Sequence, residues 1–215
     1  MELRRDGGVP LSEHYYASKP TAASRRQTYE LTVRGVRLQL TTDAGVFSKQ
    51  GLDYGSKALI ERMDIPPGSR VLDVGCGYGP IGLTAALLAP EGHADLVDVN
   101  ERAVELARLN AEANGIRNVD AMQSDGLAAV SGKTYDVILT NPPIRAGKAV
   151  VHRIFEESAA RLAPGGALWI VIQNKQGAPS ARAKLEALFG EEAVEEVGKD
   201  KGYRILKAVN KKSLT

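Results

Sequence analysis

Residues 71–82 read VLDVGCGYGPIG, and the way these twelve residues are understood decides the fold. Residues 71–74 make a short apolar strand, which a glycine-rich turn carries to a helix start near Ile81. Glycine admits positive φ and lets a ligand approach the main chain, and a helix N-terminus offers unpaired N–H groups. An adenosine-containing ligand is therefore expected. Two registers compete for it. Gly77, Gly79 and Gly82 fit the dinucleotide pattern G-x-G-x-x-G. In that pattern the first glycine follows the strand directly, however, and here Gly75 does so. Counting from it gives Gly75, Gly77 and then Pro80 where the third glycine belongs. Asp73 precedes the turn, and its carboxylate suits a cationic ligand group, a sulfonium or an α-amino group, better than a pyrophosphate. The alternative for Asp73 is a strand-end carboxylate bonded to local backbone N–H groups.

Outward from this unit, short apolar runs alternate with amphipathic segments. SRVLDVG (69–75), a helix from Ile81, ADLVDV (94–99), a helix over 101–114 stopped by Asn114-Gly115, and VDAMQS (119–124) come first. YDVILT (135–140), a helix from about Val150, ALWIVIQ (167–173) and a helix near 180–189 follow. This alternation predicts right-handed crossovers and a parallel sheet covered on both faces. AVEEVG (193–198) and YRILKAV (203–209), joined by KDKG, predict an antiparallel pair at the end of the sheet. Upstream, YELTVRGVRLQL (29–40) alternates around Arg34-Gly35, a hairpin signal. Residues 52–63 then carry Leu52, Leu59, Ile60 and Met63 at roughly helical spacing before Pro66-Pro67. Residues 1–27 have little periodicity and predict a partly ordered arm, so 28–215 forms one α/β domain that includes a hairpin at 28–42.

A chain of 215 residues with 43% hydrophobic content supports one domain with a substantial core. The single Cys76 excludes an internal disulfide, and no His/Cys cluster has zinc spacing, so a reducing compartment and no metal are expected. No run of about 18 apolar residues occurs and the first residues lack an apolar signal core, which predicts a soluble cytoplasmic protein, a monomer by default. A net charge of +2 permits a nucleic-acid partner without requiring one. Arg4, Arg5, Lys19, Arg25, Arg26, Arg34 and Arg37 crowd one end; Lys199, Lys201, Arg204, Lys207, Lys211 and Lys212 crowd the other. They make either solvated faces or a phosphate-binding surface.

Three further positions continue the strand-end pattern. Asp98 lies 23 residues beyond Gly75 at the end of the second strand, where a carboxylate accepts both ribose hydroxyls. Asp125 ends the next strand and suits an adenine amino group, with a helix or turn cap as the competing role. TNPPIRAGK (140–148) follows the apolar run 137–139, and two consecutive prolines impose a rigid, non-repeating backbone where that strand leaves the sheet. That stiffness marks a site rather than a connector.

Taken together, DVGCGYG (73–79), Asp98, Asp125 and Asn141-Pro142-Pro143 resemble the class I S-adenosylmethionine-dependent methyltransferases. More narrowly, TDAGVFSKQGLDYGSKALIE (42–61), VDVNERAVELARLNAEANG (97–115) and LTNPPIRAGKAVVHRIFEESAARLAPGG (139–166) resemble the "small domain" methyltransferases, among them the small-subunit ribosomal RNA guanine-N2 methyltransferases. The likeness runs from about Ser12 to Lys207. It implies a Rossmann-like, seven-stranded sheet with an antiparallel last strand and S-adenosyl-L-methionine as cofactor. It also implies ribosomal RNA or the small ribosomal subunit as partner. By the same resemblance Asp73, Gly75, Gly77, Gly79, Asp98, Asp125 and Asn141 bind the cofactor, and Asn141, Pro142 and Pro143 serve catalysis.

An exocyclic amine is a poor nucleophile because its lone pair is delocalised. The family's logic for N-P-P is that two fixed acceptors, the Asn141 side-chain oxygen and the Pro142 carbonyl, bond the two N–H groups and aim the lone pair at the methyl group. Relatives often carry Tyr or Phe at the fourth position to stack on a flipped base, whereas this chain has Ile144; Phe47 is the substitute candidate, with a core role as its alternative. Arg145, Lys148, His152 and Arg153 follow; they offer cations for flanking phosphates or are solvated residues of a helix face. Other amine or amide acceptors, namely adenine N6, a large-subunit guanine or a protein glutamine, fit the same two acceptors. Outside this class stand a nicotinamide-dependent oxidoreductase built on Gly77, Gly79 and Gly82, and a non-catalytic RNA-binding copy of the fold.

Overall fold

The computed structural model describes residues 23–46 and 51–212, so most of the expected N-terminal arm and the candidate Phe47 lie outside the described residues. The glycine-loop unit sits at the centre. Its strand β3 (Arg70–Val74) buries Val71 on one face and Leu72 and Val74 on the other, the period-2 signature of a strand covered on both sides. On β3 follow α2 (Pro80–Leu88), β4 (His93–Asp98), α3 (Glu101–Ala113), β5 (Val119–Gln123) and β6 (Tyr135–Thr140). Then come α4 (Lys148–Ala159), β7 (Leu162–Gln173), α5 (Ala178–Phe189), β8 (Val194–Asp200) and β9 (Tyr203–Val209). The strand order is β5-β4-β3-β6-β7-β9-β8, all parallel except β9, which is antiparallel to both neighbours. The expected seven-stranded sheet with its antiparallel last strand is what the chain forms.

Two apolar cores flank the sheet. Leu72, Ile138, Leu168 and Ile170 pack with Phe155 and Leu185 beneath α4 and α5, whereas Val71, Leu139, Trp169 and Val171 pack beneath α1 (Tyr54–Arg62), α2 and α3. Each fully buried aliphatic side chain contributes about 1.5–3 kcal/mol. Trp169 is core, as its place in an apolar run suggests. Gly82 is needed by packing: a Cβ there would lie 2.5 Å from Leu96 Cγ, so glycine lets α2 press onto β4.

Several boundaries differ from expectation, among them β8, which runs to Asp200 and leaves only Lys201-Gly202 as the turn. Helix α1 begins at Tyr54, because Asp53 caps it in an extended conformation with its side chain accepting from Ser56 N, 3.1 Å away. Helix α4 begins at Lys148, directly after Gly147. Strand β7 starts at Leu162 and runs through Pro164-Gly165-Gly166, a register shift against β6 that needs glycine at 166, because a Cβ there would stand 3.0 Å from the Tyr135 and Asp136 carbonyl oxygens.

The hairpin β1 (Gln27–Val33) and β2 (Val36–Thr42) forms a separate two-stranded sheet, turning on Arg34 and Gly35 at φ 50° and 78°. Its free edge meets a helix instead of a strand. Asn114 exchanges two hydrogen bonds with the Gln39 main chain (2.8 and 2.7 Å), and Asn110 two with Thr41 (2.7 and 2.9 Å), the pairing that a neighbouring strand would supply. Asn110 is fully buried and also donates to the Tyr78 carbonyl at 2.9 Å, which joins hairpin, helix and glycine loop. No helix among the described residues is long and apolar enough to cross a membrane.

Candidate active site

In the parallel register, Val74 stands beside Val97 on one side and Thr140 on the other, so the glycine loop, Asp98 and Asn141 emerge together at the carboxyl ends of β3, β4 and β6. Between β3 and β6 the strand order reverses, the position where open α/β sheets bind ligands. A cavity of about 230 Å³ lies there, lined by Gly75, Asp98, Ser124, Asp125, Asn141 and Arg153 among others. A larger groove of about 710 Å³ runs between α3 and the edge strand β5 and contains none of the motif residues. Arg108 there donates to the Ala121 carbonyl, covering the strand edge.

The loop is shaped by Gly75, Gly77 and Gly79, at φ 73°, 56° and 99°. Nothing stands within 4 Å of a Cβ placed on Gly75 or Gly77, whereas Gly79 faces Leu83 and Ala107. Gly79 thus shapes the helix entry, while Gly75 lines the cavity. Asp98 holds the loop from below, accepting from Gly77 N (2.8 Å) and Asn100 N (2.9 Å). Burial lifts its carboxyl above the ordinary value, against the pull of these N–H groups.

Asp73 is only 1% exposed. One oxygen accepts from Gly82 N at 2.8 Å, which is the local-backbone role; the other, Oδ1, is buried without a partner. Burial first, and the nearby Asp98 charge, push its carboxyl up to about 7, with the Gly82 N–H opposing. An orphaned carboxylate oxygen beside the loop is what a cationic ligand group would satisfy. Cys76 is buried, and its thiol is pushed well up by burial and by Asp98 and Asp73, so it offers no thiolate nucleophile.

Asp125 faces Arg153 across the cavity in an ion pair, with its side chain 70% exposed and its carboxyl held below the ordinary value by that guanidinium. Its main chain also closes a turn, accepting from Ala128 N. Ser124, which the sequence reading passed over, is buried beside it and donates its main-chain N–H to the Asp98 carbonyl at 2.9 Å.

At the end of β6, Thr140 Oγ1 donates to the Val74 carbonyl at 2.8 Å and fixes the strand. Asn141 then donates its Nδ2 to Asp53 Oδ1 (3.2 Å) and Ser56 Oγ (3.1 Å). Among the described residues its Oδ1 has no donor, so an acceptor is what the amide offers the cavity. Pro143, at φ −75° and ψ 77°, makes an inverse γ-turn in which Ile144 N donates to the Pro142 carbonyl at 2.9 Å. That carbonyl keeps its second lone pair.

The turn carries Ile144 away from this cavity and into a neighbouring cleft with Lys148, His152 and Ser180. Arg145 and Lys148 are exposed, and neither makes a side-chain hydrogen bond or ion pair among the described residues. The other two cations of that segment are not available in the same way. Arg153 is committed to Asp125, and His152 stacks on Phe155 with its pKa lowered by burial and by Lys148. Several terminal cations are likewise engaged: Arg37 with Glu30, Arg204 with Glu196 and Lys207 over the Trp169 ring.

Asp53 and Ser56 were missed as site residues by the sequence reading. The signal was present, since Asp-x-x-Ser ahead of a periodic segment is an N-cap pattern, but no local pattern says that this cap reaches a residue 88 positions on.

A doubly wound sheet with a glycine loop after its first strand, acidic groups on the next two strand ends and N-P-P after the fourth defines a class I methyltransferase fold and site. The chain belongs to the methyltransferase small domain family, whose model matches residues 37–207. S-adenosylmethionine is the cofactor of this family, and the orphaned Asp73 oxygen, open Gly75 and strand-end Asp98 fit it. The dinucleotide register on Gly77, Gly79 and Gly82 is thereby set aside. Over 200 residues the chain is 54% identical to the Bacillus subtilis protein YbxB, covering 92% of this chain and 98% of that one. It is 37% identical to the ribosomal RNA large subunit methyltransferase G of Pseudomonas putida, over 90% of this chain but 52% of that protein. Among solved structures it superposes on the T. thermophilus 16S ribosomal RNA N2 G1207 methyltransferase, bound to AdoMet and guanosine, with a TM-score of 0.75 and 27% identity. That match covers 89% of this chain and 52% of the other. The chain thus spans about half the length of these two ribosomal RNA methyltransferases.

Proposed function

We propose that the protein methylates the exocyclic N2 amine of a guanine in ribosomal RNA, with the small-subunit RNA as the first candidate. The observation that carries this reading is the Asn141 amide, whose nitrogen is spent on Asp53 and Ser56 and whose oxygen is left to accept. An amine with two N–H groups matches that oxygen together with the free lone pair of the Pro142 carbonyl. Two such bonds favour a pyramidal nitrogen and direct its lone pair. The bound cofactor supplies a methyl group on a positively charged sulfur. With it bound, Asn141 and Pro142 would hold the amine with its lone pair toward that methyl group, and the proton shed by the methylated nitrogen would pass to water beside these acceptors. No stronger base is required. Asp98 suits the ribose hydroxyls, and Asp125 suits the adenine amine once it parts from Arg153. Exposed Arg145 and Lys148 lie beside the site where phosphates flanking the target would pass.

The structural relative with small-subunit guanine specificity supports the first candidate. The 37% identity to a large-subunit methyltransferase favours a second reading, the same chemistry on large-subunit RNA. The test is transfer of labelled methyl to both ribosomal subunits, their naked RNAs and total protein, followed by nucleoside and amino-acid analysis. N2-methylguanosine from the small-subunit sample is expected. Its appearance from the large subunit alone would establish the second reading, and label confined to protein, or none at all, would overturn both.

A further inference from the structure

A primary amide turns over about its Cβ–Cγ bond at almost no steric cost, exchanging an acceptor for a donor at the same point in space. For Asn141 that exchange would replace a lone pair by N–H groups facing an amine that also brings N–H groups. We propose that Asp53, assisted by Ser56, is the positioning residue that prevents this exchange, and that it thereby selects acceptors bearing N–H groups over those bearing carbonyl oxygens. The inference rests on the reading of Asn141 as the amine-binding group.

The geometry is asymmetric in the required sense. Asn141 Nδ2 lies 3.2 Å from Asp53 Oδ1 and 3.1 Å from Ser56 Oγ. A hydroxyl accepts or donates and tolerates either amide orientation, but an ionised carboxylate only accepts. Turned over, the amide would press its oxygen against the Asp53 carboxylate. Donation to a carboxylate also draws the amide nitrogen's lone pair toward its carbonyl, which makes Oδ1 a stronger acceptor.

Asp53 is itself held in place. It caps α1, with the same Oδ1 accepting from Ser56 N at 3.1 Å. The next residue, Tyr54, gives its hydroxyl proton to Asp200, meets Tyr203 with ring centroids 5.8 Å apart, and lies under Lys201 at 4.7 Å. Gly55 is buried so closely on Tyr203 that a Cβ would stand 2.8 Å from its ring. The start of α1 is therefore fixed against the β8–β9 turn, and through Asp53 it fixes the end of β6.

Asp, Asn and Ser cap helices about equally well, so the cap and the link to Asn141 can be separated. Asp53→Ser keeps the cap but is too short to reach Asn141, and Asp53→Asn keeps both with the charge removed. With small-subunit particles or their RNA as acceptor, Asp53→Ser should lower kcat about 100-fold, the scale of a misplaced catalytic group. KM, cofactor affinity by calorimetry and melting temperature should stay close to wild type. Asp53→Asn should fall between. In an Asn141→Ala background, Asp53→Ser should cost less than about threefold further, because a positioning residue has nothing left to position. Retained kcat in Asp53→Ser, or a loss that multiplies in full with that of Asn141→Ala, would overturn the inference. Unchanged activity of Asn141→Ala alone would instead sink the functional reading beneath it.

Discussion

The two hairpins of this chain turn on the same pair of residues, a cation followed by glycine, yet they hold opposite ends of α1 by different means. Arg34 and Lys201 are the only non-glycine residues at positive φ among those described, at 50° and 43°. A long side chain in that region costs about 1–2 kcal/mol. At the outer hairpin, Arg34 donates to the Ile60 and Met63 carbonyls, satisfying main-chain groups that the end of α1 leaves open. At the sheet's last hairpin, Lys201 only lies over the Tyr54 ring at the start of the helix, an exposed contact worth about 0.5–1 kcal/mol. The outer hairpin has no third strand beside it and is joined to the rest by its buried leucines and by side-chain hydrogen bonds, whereas β8–β9 is continued by β7 through its ladder. Equal turn chemistry therefore carries unequal weight.

The largest way to break this contrast is Asn110→Leu, which leaves the Thr41 main chain and the Tyr78 carbonyl without partners in the interior. We expect a loss of roughly 3 kcal/mol in urea unfolding, with hydrogen exchange rising over 27–42 and not over β8–β9. The central strand β3 adds a pH dependence. Asp73 has a folded-state pKa raised to about 7, so its contribution to stability is complete below the unfolded value near 4 and is lost as pH rises through 7. Stability of the cofactor-free protein should thus fall by roughly 2 kcal/mol from pH 5 to 7, and Asp73→Asn should remove most of that slope. Next in size is Gly55→Ala, whose Cβ meets the Tyr203 ring; a loss of about 1–2 kcal/mol and a lowered kcat at unchanged cofactor affinity are expected from melting and kinetics. The smallest changes sharpen the comparison directly. Arg34→Gly relieves the turn but abandons two carbonyls and should cost about 0.5 kcal/mol, whereas Lys201→Gly should be neutral or slightly stabilising, as paired thermal melts would show.

The sheet was legible because its strands are short apolar runs bounded by glycine, asparagine or proline, and YDVILT and YRILKAV are strands over the very residues read. The start of β7 was not, since Pro164-Gly165-Gly166 punctuates a sequence whatever the structure does with it, and here β9 recruits Gly165 and Gly166 through Asn210. In the candidate site, Gly75, Asp98, Asp125 and Asn141 were found by position at strand ends and meet around one cavity. What stayed hidden was pairing across distance: Asp53 and Ser56 on Asn141, Arg153 on Asp125, and the asparagines of α3 on the hairpin. A polar side chain announces its type in sequence but not its partner. Ile144 shows the same limit, since a γ-turn and not its apolar character decides which cleft it enters.

The asparagine pairing between α3 and β2 also sets an order of assembly. Thr41 and Gln39 find their partners 69 and 75 residues further along the chain. A two-residue turn lets β1 and β2 meet within microseconds, but docking requires α3 to be made and folded first. During synthesis, at about 5–20 residues per second, the hairpin waits several seconds with Leu38 and Leu40 uncovered. The hairpin thus waits for a helix made about 70 residues after it, and the glycine loop acquires its Asn110 tie only when that helix docks.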